Sequence, residues 1–142
     1  MIYTEATKKA MKLCFMAHRD QTDKSGIPYV FHPIHLAEQM QDEDTTVVAL
    51  LHDVVEDSNC TLEDLAVMGF CDRVVEAIRL MTHNDHIPYM DYVAKIKENP
   101  IARAVKLADL THNSDLTRLD VVDARALARV EKYKQAIAYL TD

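Results

Sequence analysis

The segment His52–Asp57 holds the densest group of side chains that could do chemistry, and it reads His-Asp-Val-Val-Glu-Asp. On a helix, His52 lies one turn from Glu56. Asp53 lies one turn from Asp57 in the same way. An adjacent imidazole and carboxylate can converge on one cation, and carboxylates a turn later can hold and deprotonate a water molecule on it. The alternative is that these residues form only the solvated face of an amphipathic helix.

Two further positions extend this candidate metal site. Asp109 falls at the edge of the inward face of a predicted helix over 101–113, where a carboxylate requires compensation. Either Lys106 or a metal ion would supply it. His32, at the end of a turn-rich loop, is either a hydrogen-bonded packing residue or a further ligand. Two imidazoles and two carboxylates suit Mn²⁺, Fe²⁺ or Zn²⁺ and are too rich in nitrogen for Ca²⁺.

The remaining histidines show no comparable partner pattern, and we expect them to be structural or surface residues. They are His18, His35, His83, His86 and His112.

Length and charge narrow the class of protein. A chain of 142 residues is the size of one domain, so we expect a single domain over 1–142. The net charge of −7 argues against an electrostatic partnership with nucleic acid. No apolar run approaches the roughly 18 residues of a membrane span, and the N-terminus lacks a signal pattern. We therefore expect a cytoplasmic protein with no membrane partner.

The three cysteines lack Cys-x-x-Cys spacing, which argues against a disulfide framework or a zinc knuckle. We expect Cys14, Cys60 and Cys71 to be reduced, buried thiols.

Only two glycines and four prolines interrupt the sequence, and this scarcity predicts an all-α, single-domain helical bundle. The predicted helices are 4–18, 33–39, 45–57, a short helix between Thr61 and Gly69, 71–81, 88–98, 100–113 and 122–140. Thr61 with Asp64 gives a capping signal, and Gly69 is placed to end that short helix. The turn-rich loop over 20–33 is a candidate binding segment.

The most specific pattern is a series of four motifs that spans nearly the whole chain. They are Ala17-His18-x-x-Gln21, Lys24-Ser25-Gly26-x-Pro28-Tyr29-x-x-His32-Pro33, His52-Asp53-x-x-Glu56-Asp57 and Lys106-Leu107-Ala108-Asp109-x-x-His112-Asn113. The series resembles the hydrolase domain of the Rel/Spo alarmone enzymes, which are helical HD-domain phosphohydrolases. It is most similar to their stand-alone small hydrolases related to the metazoan SpoT homologue. The remainder of the chain is too short for a synthetase or regulatory domain.

This resemblance implies a reaction and a role for each matched residue. The implied ligands of one divalent metal, usually Mn²⁺ in this family, are His32, His52, Asp53 and Asp109. The implied catalytic pair that positions and activates water is Glu56 and Asp57, and the implied nucleotide contacts are Lys24, Ser25 and Asn113. The reaction removes the 3′-pyrophosphate of guanosine tetra- or pentaphosphate to give GDP or GTP. A divalent ion would let an acidic protein act on such a polyanion.

Two departures from the family pattern leave the substrate open. Asp23 stands where the family usually has an arginine that is expected to stack on guanine, and aspartate can neither stack in this way nor attract phosphate. Ile27 stands where the family has glutamate, and the segment 114–116 also differs. The alternatives are an adenosine alarmone or NADPH as substrate, a related phosphatase that releases orthophosphate, or a non-catalytic module that binds a metal and a nucleotide or protein partner.

The last predicted helix carries a set of residues that either contact phosphate, as in the family, or form a solvated face. They are Arg125, Arg129, Lys132 and Tyr133.

Overall fold

Helices account for all the regular structure, which confirms the predicted all-α fold. The computed structural model describes residues 1–142. Its helices are α1 (Glu5–His18), α2 (Phe31–Glu38), α3 (Glu43–Leu51), α4 (Val54–Asp57), α5 (Leu62–Val67), α6 (Asp72–Met81), α7 (Tyr89–Lys97), α8 (Pro100–Asn113) and α9 (Ala124–Thr141), with a 3₁₀ turn at Leu116–Arg118. No helix is both long enough and apolar enough to cross a bilayer.

Side-chain caps set the helix ends that the sequence predicts. Thr4 and Thr7 form a reciprocal capping box at the start of α1. The predicted pair Thr61 and Asp64 forms a second one at the start of α5. Gly69 has a φ of 95°, a left-handed conformation that favours glycine, and it lies just beyond the end of α5. The signals at Thr61, Asp64 and Gly69 operate as the sequence predicts, and the box at Thr4 and Thr7 is a finding of the structure.

The prediction of one continuous helix over 45–57 is wrong. α3 ends at Leu51 and α4 begins at Val54, so His52 and Asp53 form a turn between two helices. The backbone at Asp53, with φ −104° and ψ −1°, departs from helical geometry.

A side-chain interaction accompanies this break. The Nδ1 atom of His52 lies 2.7 Å from the carbonyl oxygen of Ala49. That oxygen is the acceptor that the backbone N–H of Asp53 would use in a continuous helix. The imidazole of His52 therefore competes for the helical acceptor where α3 ends.

The helix α3 lies at the centre of the bundle and packs against α1, α2, α6 and α8. Every residue from Thr45 to Leu51 is buried, so this helix is buried all round rather than on one face. The imidazole of His52 that follows is only 2% exposed. The alternative that the His52–Asp57 segment is merely a solvated helix face is therefore wrong for His52.

The cysteines are free thiols, as no pair is bonded. Only Cys14 is buried, whereas Cys60 and Cys71 are half-buried. The expectation of three buried thiols is therefore wrong for two of them, which lie next to the short helices α5 and α6.

Truncation of a core side chain on α3 tests the central position of this helix. Leu50 has no exposed surface, so Leu50→Ala leaves a cavity and is expected to lower the free energy of unfolding by about 2–5 kcal/mol. Urea denaturation followed by circular dichroism measures the change. Leu127→Ala on α9 is the control, since Leu127 is 54% exposed and its loss should cost no more than about 0.5 kcal/mol. Equal losses for the two variants would contradict the described core.

Candidate metal centre and adjoining cavity

Side chains from α2, α8 and the turn between α3 and α4 meet at one buried point. The Nε2 atom of His32 lies 2.9 Å from Oδ1 of Asp109. The Nε2 atom of His52 lies 3.6 Å from the same oxygen and 3.1 Å from Oδ2 of Asp53. Ligand atoms of His32, His52 and Asp109 all lie within 4.8 Å of one another. The structure thus brings together three of the four side chains that the resemblance implies as ligands, and Asp53 lies beside one of them, His52.

The hydrogen bonding of His52 fits a cation at this point. A carbonyl oxygen only accepts, so Nδ1 of His52 carries the hydrogen that is donated to Ala49. The Nε2 atom is buried and makes no hydrogen bond, although two carboxylates face it. Burial opposes positive charge on His52, but Asp53 and Asp109 outweigh burial and raise the pKa of His52 well above its usual value. The pocket therefore favours a positive charge beside these atoms.

The two oxygens of Asp109 have different partners. Lys106 Nζ donates to Oδ2 at 2.9 Å, so the lysine that the sequence suggested as compensation is present. Asn113 Nδ2 donates to Oδ1 at 3.0 Å, on the side that faces the histidines. Burial alone would raise the pKa of Asp109, but Lys106 and the two histidines hold it well below its usual range. Lysine therefore compensates one oxygen and leaves the other directed at the candidate metal centre.

Two contacts to the cluster come from residues that the sequence reasoning did not single out. The hydroxyl of Tyr29 donates to Oδ2 of Asp53. The Nδ1 atom of His112 lies 2.7 Å from Nδ1 of His32, so this half-buried histidine, expected only as a structural or surface residue, contacts an implied metal ligand. Burial and the nearby Arg118 lower the pKa of His112 to about 4. Both residues lie within the quoted motifs, and that position was the only available signal.

Glu56 opens onto a cavity of about 220 Å³ beside the cluster, which we call the metal cavity. Its lining includes His52, Asp53, Glu56, His83, Tyr89, Tyr92, Lys106, Asp109, Asn113, Lys132 and Tyr133. The backbone N–H of His83 donates to Oε1 of Glu56 at 2.6 Å. Burial raises the pKa of Glu56, and the neighbouring Asp53 and Asp57 add to this shift. Glu56 is thus a carboxylate of increased basicity at the edge of the cluster.

Asp57 points to a different part of the molecule. Its Oδ2 accepts a hydrogen bond from Nε2 of Gln21 at 3.2 Å and lies 3.9 Å from Nδ1 of His18. Asp57 does not line the metal cavity. The structure therefore separates the two carboxylates of the proposed catalytic pair, with Glu56 next to the cluster and Asp57 against the loop that follows α1.

Two of the three implied nucleotide contacts, Lys24 and Asn113, line a second cavity of about 330 Å³, which we call the loop cavity. Its lining includes Gln21, Asp23, Lys24, Tyr29, Asn113, Asp115, Arg118, Leu119, Arg129 and Tyr133. Asn113 and Tyr133 line both cavities, so the two are neighbours. Of the cationic candidates on α9, Arg129 faces the loop cavity and Lys132 faces the metal cavity.

The hydroxyl of Ser25 forms two hydrogen bonds within the protein. It donates to the carbonyl oxygen of Arg118 at 2.9 Å and accepts from the backbone N–H of Asp120 at 3.1 Å. Ser25 does not line the loop cavity, whereas Lys24 does and is exposed. Ser25 therefore ties the loop after α1 to the segment after α8.

Comparisons with known proteins find relatives of this chain among the alarmone enzymes. It is 30% identical to the guanosine-3′,5′-bis(diphosphate) 3′-pyrophosphohydrolase of Aquifex aeolicus (strain VF5), over 94% of this chain and 20% of that protein. It is 36% identical to the bifunctional (p)ppGpp synthase/hydrolase SpoT of Escherichia coli (strain K12), over 68% of this chain and 16% of that protein. The chain therefore spans about a fifth or less of these curated relatives.

A solved structure supports the same fold. The chain superposes on that of a metazoan ortholog of SpoT, described as hydrolysing ppGpp, with a TM-score of 0.75 and 23% identity. The match covers 99% of this chain and 87% of the other. No family model matches the sequence. The sequence relatives and the agreement in fold show that the chain belongs to the Rel/Spo family of HD-domain proteins. It corresponds to the segment of those proteins that it matches.

Proposed function

We propose that the protein hydrolyses the 3′-pyrophosphate of guanosine tetra- or pentaphosphate to give GDP or GTP and pyrophosphate. The observation that carries this proposal is the buried cluster of His32, His52 and Asp109, with the Asp53 carboxylate beside His52 and Glu56 at the edge of the cluster. The sequence relatives named as pyrophosphohydrolases support it. The partner of the protein in this proposal is a small-molecule nucleotide.

One divalent cation, most readily Mn²⁺, with Fe²⁺ or Zn²⁺ as alternatives, completes the proposed site. His32 and His52 would each supply Nε2, and Asp53 and Asp109 would each supply a carboxylate oxygen. This mixed nitrogen and oxygen set suits those three ions. When bound, such an ion lowers the pKa of water and polarises a phosphoryl oxygen.

Glu56 is the proposed general base. Its Oε1 is held by the backbone N–H of His83, which leaves Oε2 to take a proton from the attacking water. Burial, to which the negative charges of Asp53 and Asp57 add, raises the pKa of Glu56 and so makes it a better proton acceptor. Asp57 thus adds to the basicity of Glu56 through its charge, and it also binds Gln21 at the start of the loop that follows α1.

The loop cavity is the proposed nucleotide site. Lys24, Arg118 and Arg129 line it and would face the negative charge of the substrate. Asn113 bridges the two cavities, because its Nδ2 is bonded to Asp109 while its Oδ1 accepts from Arg118. A nucleotide in the loop cavity would therefore reach the metal cavity past Asn113. Ser25 serves the same site by holding the loop that carries Lys24.

A product analysis tests the reaction and the substrate together. The Mn²⁺-loaded protein is incubated with guanosine tetraphosphate, its adenosine counterpart and NADPH, and the products are separated by ion-exchange chromatography. We expect guanosine tetraphosphate to yield GDP and pyrophosphate. Preferential turnover of the adenosine counterpart or of NADPH would assign that nucleotide as the substrate instead. Release of orthophosphate would indicate a phosphatase, and binding without turnover would indicate a non-catalytic module.

Removal of one proposed ligand tests the metal site. Asp53→Ala deletes a carboxylate that faces His52 Nε2, so we expect loss of the bound metal and of hydrolysis. Metal content per chain, measured by elemental analysis after gel filtration, gives the result directly. Asp20→Ala is the matched control, because that side chain is 95% exposed, pairs only with Arg19 and lines neither cavity. Full activity of Asp53→Ala in the presence of a chelator would refute the metal assignment.

Neutralisation of the proposed base separates its role from that of the ligands. Glu56→Gln keeps the size of the side chain but cannot take a proton, so the rate should fall by about 10²- to 10⁴-fold. Metal content should stay at the wild-type value, since Glu56 is not among the proposed ligands. Steady-state kinetics and elemental analysis are run on the same preparation. Loss of metal in step with loss of rate would assign Glu56 to the metal instead.

A further inference from the structure

A pair of imidazoles links the proposed metal centre to the outer surface of α8. His112 lies on the last turn of α8, and its ring is nearly coplanar with that of His32, with centroids 5.0 Å apart and planes 6° apart. The Nδ1 atoms of the two rings face each other at 2.7 Å, which is a hydrogen-bond distance. One face of the His112 ring stacks on the exposed His35 with centroids 4.1 Å apart.

This bond constrains where the hydrogens lie. One Nδ1 must donate and the other must accept, because a neutral imidazole carries one N–H. The Nε2 atom of His32 lies 2.9 Å from Oδ1 of Asp109, a carboxylate that only accepts. In the neutral pair without a cation, Nε2 of His32 therefore carries its hydrogen, and Nδ1–H of His112 donates to Nδ1 of His32.

A cation at Nε2 of His32 requires the opposite arrangement. The lone pair of Nε2 must then be free, so the hydrogen of His32 lies on Nδ1 and Nδ1 of His112 must accept it. His112 can make this change because imidazole can carry its hydrogen on either nitrogen. It is half-buried and lines a cavity of about 410 Å³, where its Nε2 edge can exchange protons with water.

We propose that His112 is a positioning residue that lets His32 exchange its Nε2 proton for a cation without loss of the buried Nδ1–Nδ1 hydrogen bond. The protons balance. The Nε2 proton of His32 leaves to solvent, the proton between the rings moves from His112 to His32, and Nε2 of His112 gains one from solvent. This inference rests on the proposed function only through its metal site.

Two substitutions of His112 test the role of the hydrogen bond. His112→Phe keeps an aromatic ring stacked on His35 but removes the acceptor that faces His32, so we expect Co²⁺ to bind about 10- to 100-fold more weakly and with an altered visible absorption spectrum. His112→Asn places an amide oxygen near the lost Nδ1 and should restore most of the affinity. His35→Phe changes only the stacking partner and should bind Co²⁺ as the wild type does. Wild-type affinity and spectrum in His112→Phe would overturn the inference.

Nitrogen NMR of the wild-type protein gives a second test that needs no variant and no turnover. Histidine ring resonances are recorded with and without Zn²⁺. With Zn²⁺, His32 should be protonated on Nδ1 and His112 on Nε2. Without it, His32 should be protonated on Nε2 and His112 on Nδ1.

The outcomes distinguish this inference from the proposed function. If Zn²⁺ binds but the protonated nitrogens of His32 and His112 do not change, the role of His112 is refuted and the metal site is not. Failure of the wild type to bind either Co²⁺ or Zn²⁺ overturns the metal site and this inference together. Metal binding with the expected change, but with no hydrolysis of any nucleotide, supports the role of His112 and refutes only the reaction.

Discussion

A buried carboxylate sets the condition that the rest of this molecule must meet. Asp109 is only 6% exposed, and an ionised carboxylate is costly inside a protein unless its oxygens are paired. One oxygen is bonded to Lys106 and the other to His32 and Asn113. Two of these partners come from the same helix, but His32 comes from α2, so α2 and α8 must pack together to satisfy the carboxylate. The stability of the bundle and the geometry of the site therefore depend on the same contacts.

The central helix α3 brings the remaining groups to that carboxylate. Because every residue from Thr45 to Leu51 is buried, the position of this helix is fixed by packing from all sides. His52 follows directly at its C-terminal end, and the Ala49 carbonyl fixes the orientation of the ring. A side chain held at the end of an immobile helix is preorganised, which a mobile loop would not provide. The same turn that ends α3 presents Asp53 and then Glu56 to the metal cavity.

Local signals were enough to predict most of the fold, and long-range contacts explain what the sequence did not show. The predicted capping pair Thr61–Asp64 acts within one helical turn, so its effect on the start of α5 follows from neighbouring residues. The break at His52 has no glycine or proline to announce it. It coincides with the contact between Nδ1 of His52 and the Ala49 carbonyl, made by a ring that other helices bury. Periodicity within a segment cannot report such a contact.

The candidate site likewise has features that local sequence predicts and features that only long-range packing determines. The residue types of the cluster could be proposed from motifs, but no spacing indicates that His112 would meet His32, which is 80 residues away. The separation of Asp57 from Glu56 was equally hidden, because adjacent residues share a motif but here face different elements. Sequence patterns thus predicted which residues have suitable chemistry, while the packing of α1, α2 and α8 decides which of them act on the same space.

The aspartate at position 23, where the family usually has arginine, shows how the loop and the loop cavity share one set of residues. Asp23 Oδ1 accepts hydrogen bonds from the backbone N–H groups of Ser25 and Ile27, at 2.9 and 3.0 Å, so the carboxylate stabilises the loop turn. An arginine has no acceptor and could not form these bonds. The guanidinium of Arg118 lies 3.9 Å from the other oxygen of Asp23 and lines the same cavity. The guanidinium group that an arginine at position 23 would supply is therefore present on the segment after α8, as Arg118, which His112 and Asn113 also bind. Selection of the nucleotide in the proposed reaction consequently depends on how that segment is held, and Ser25 is the residue that ties it to the loop.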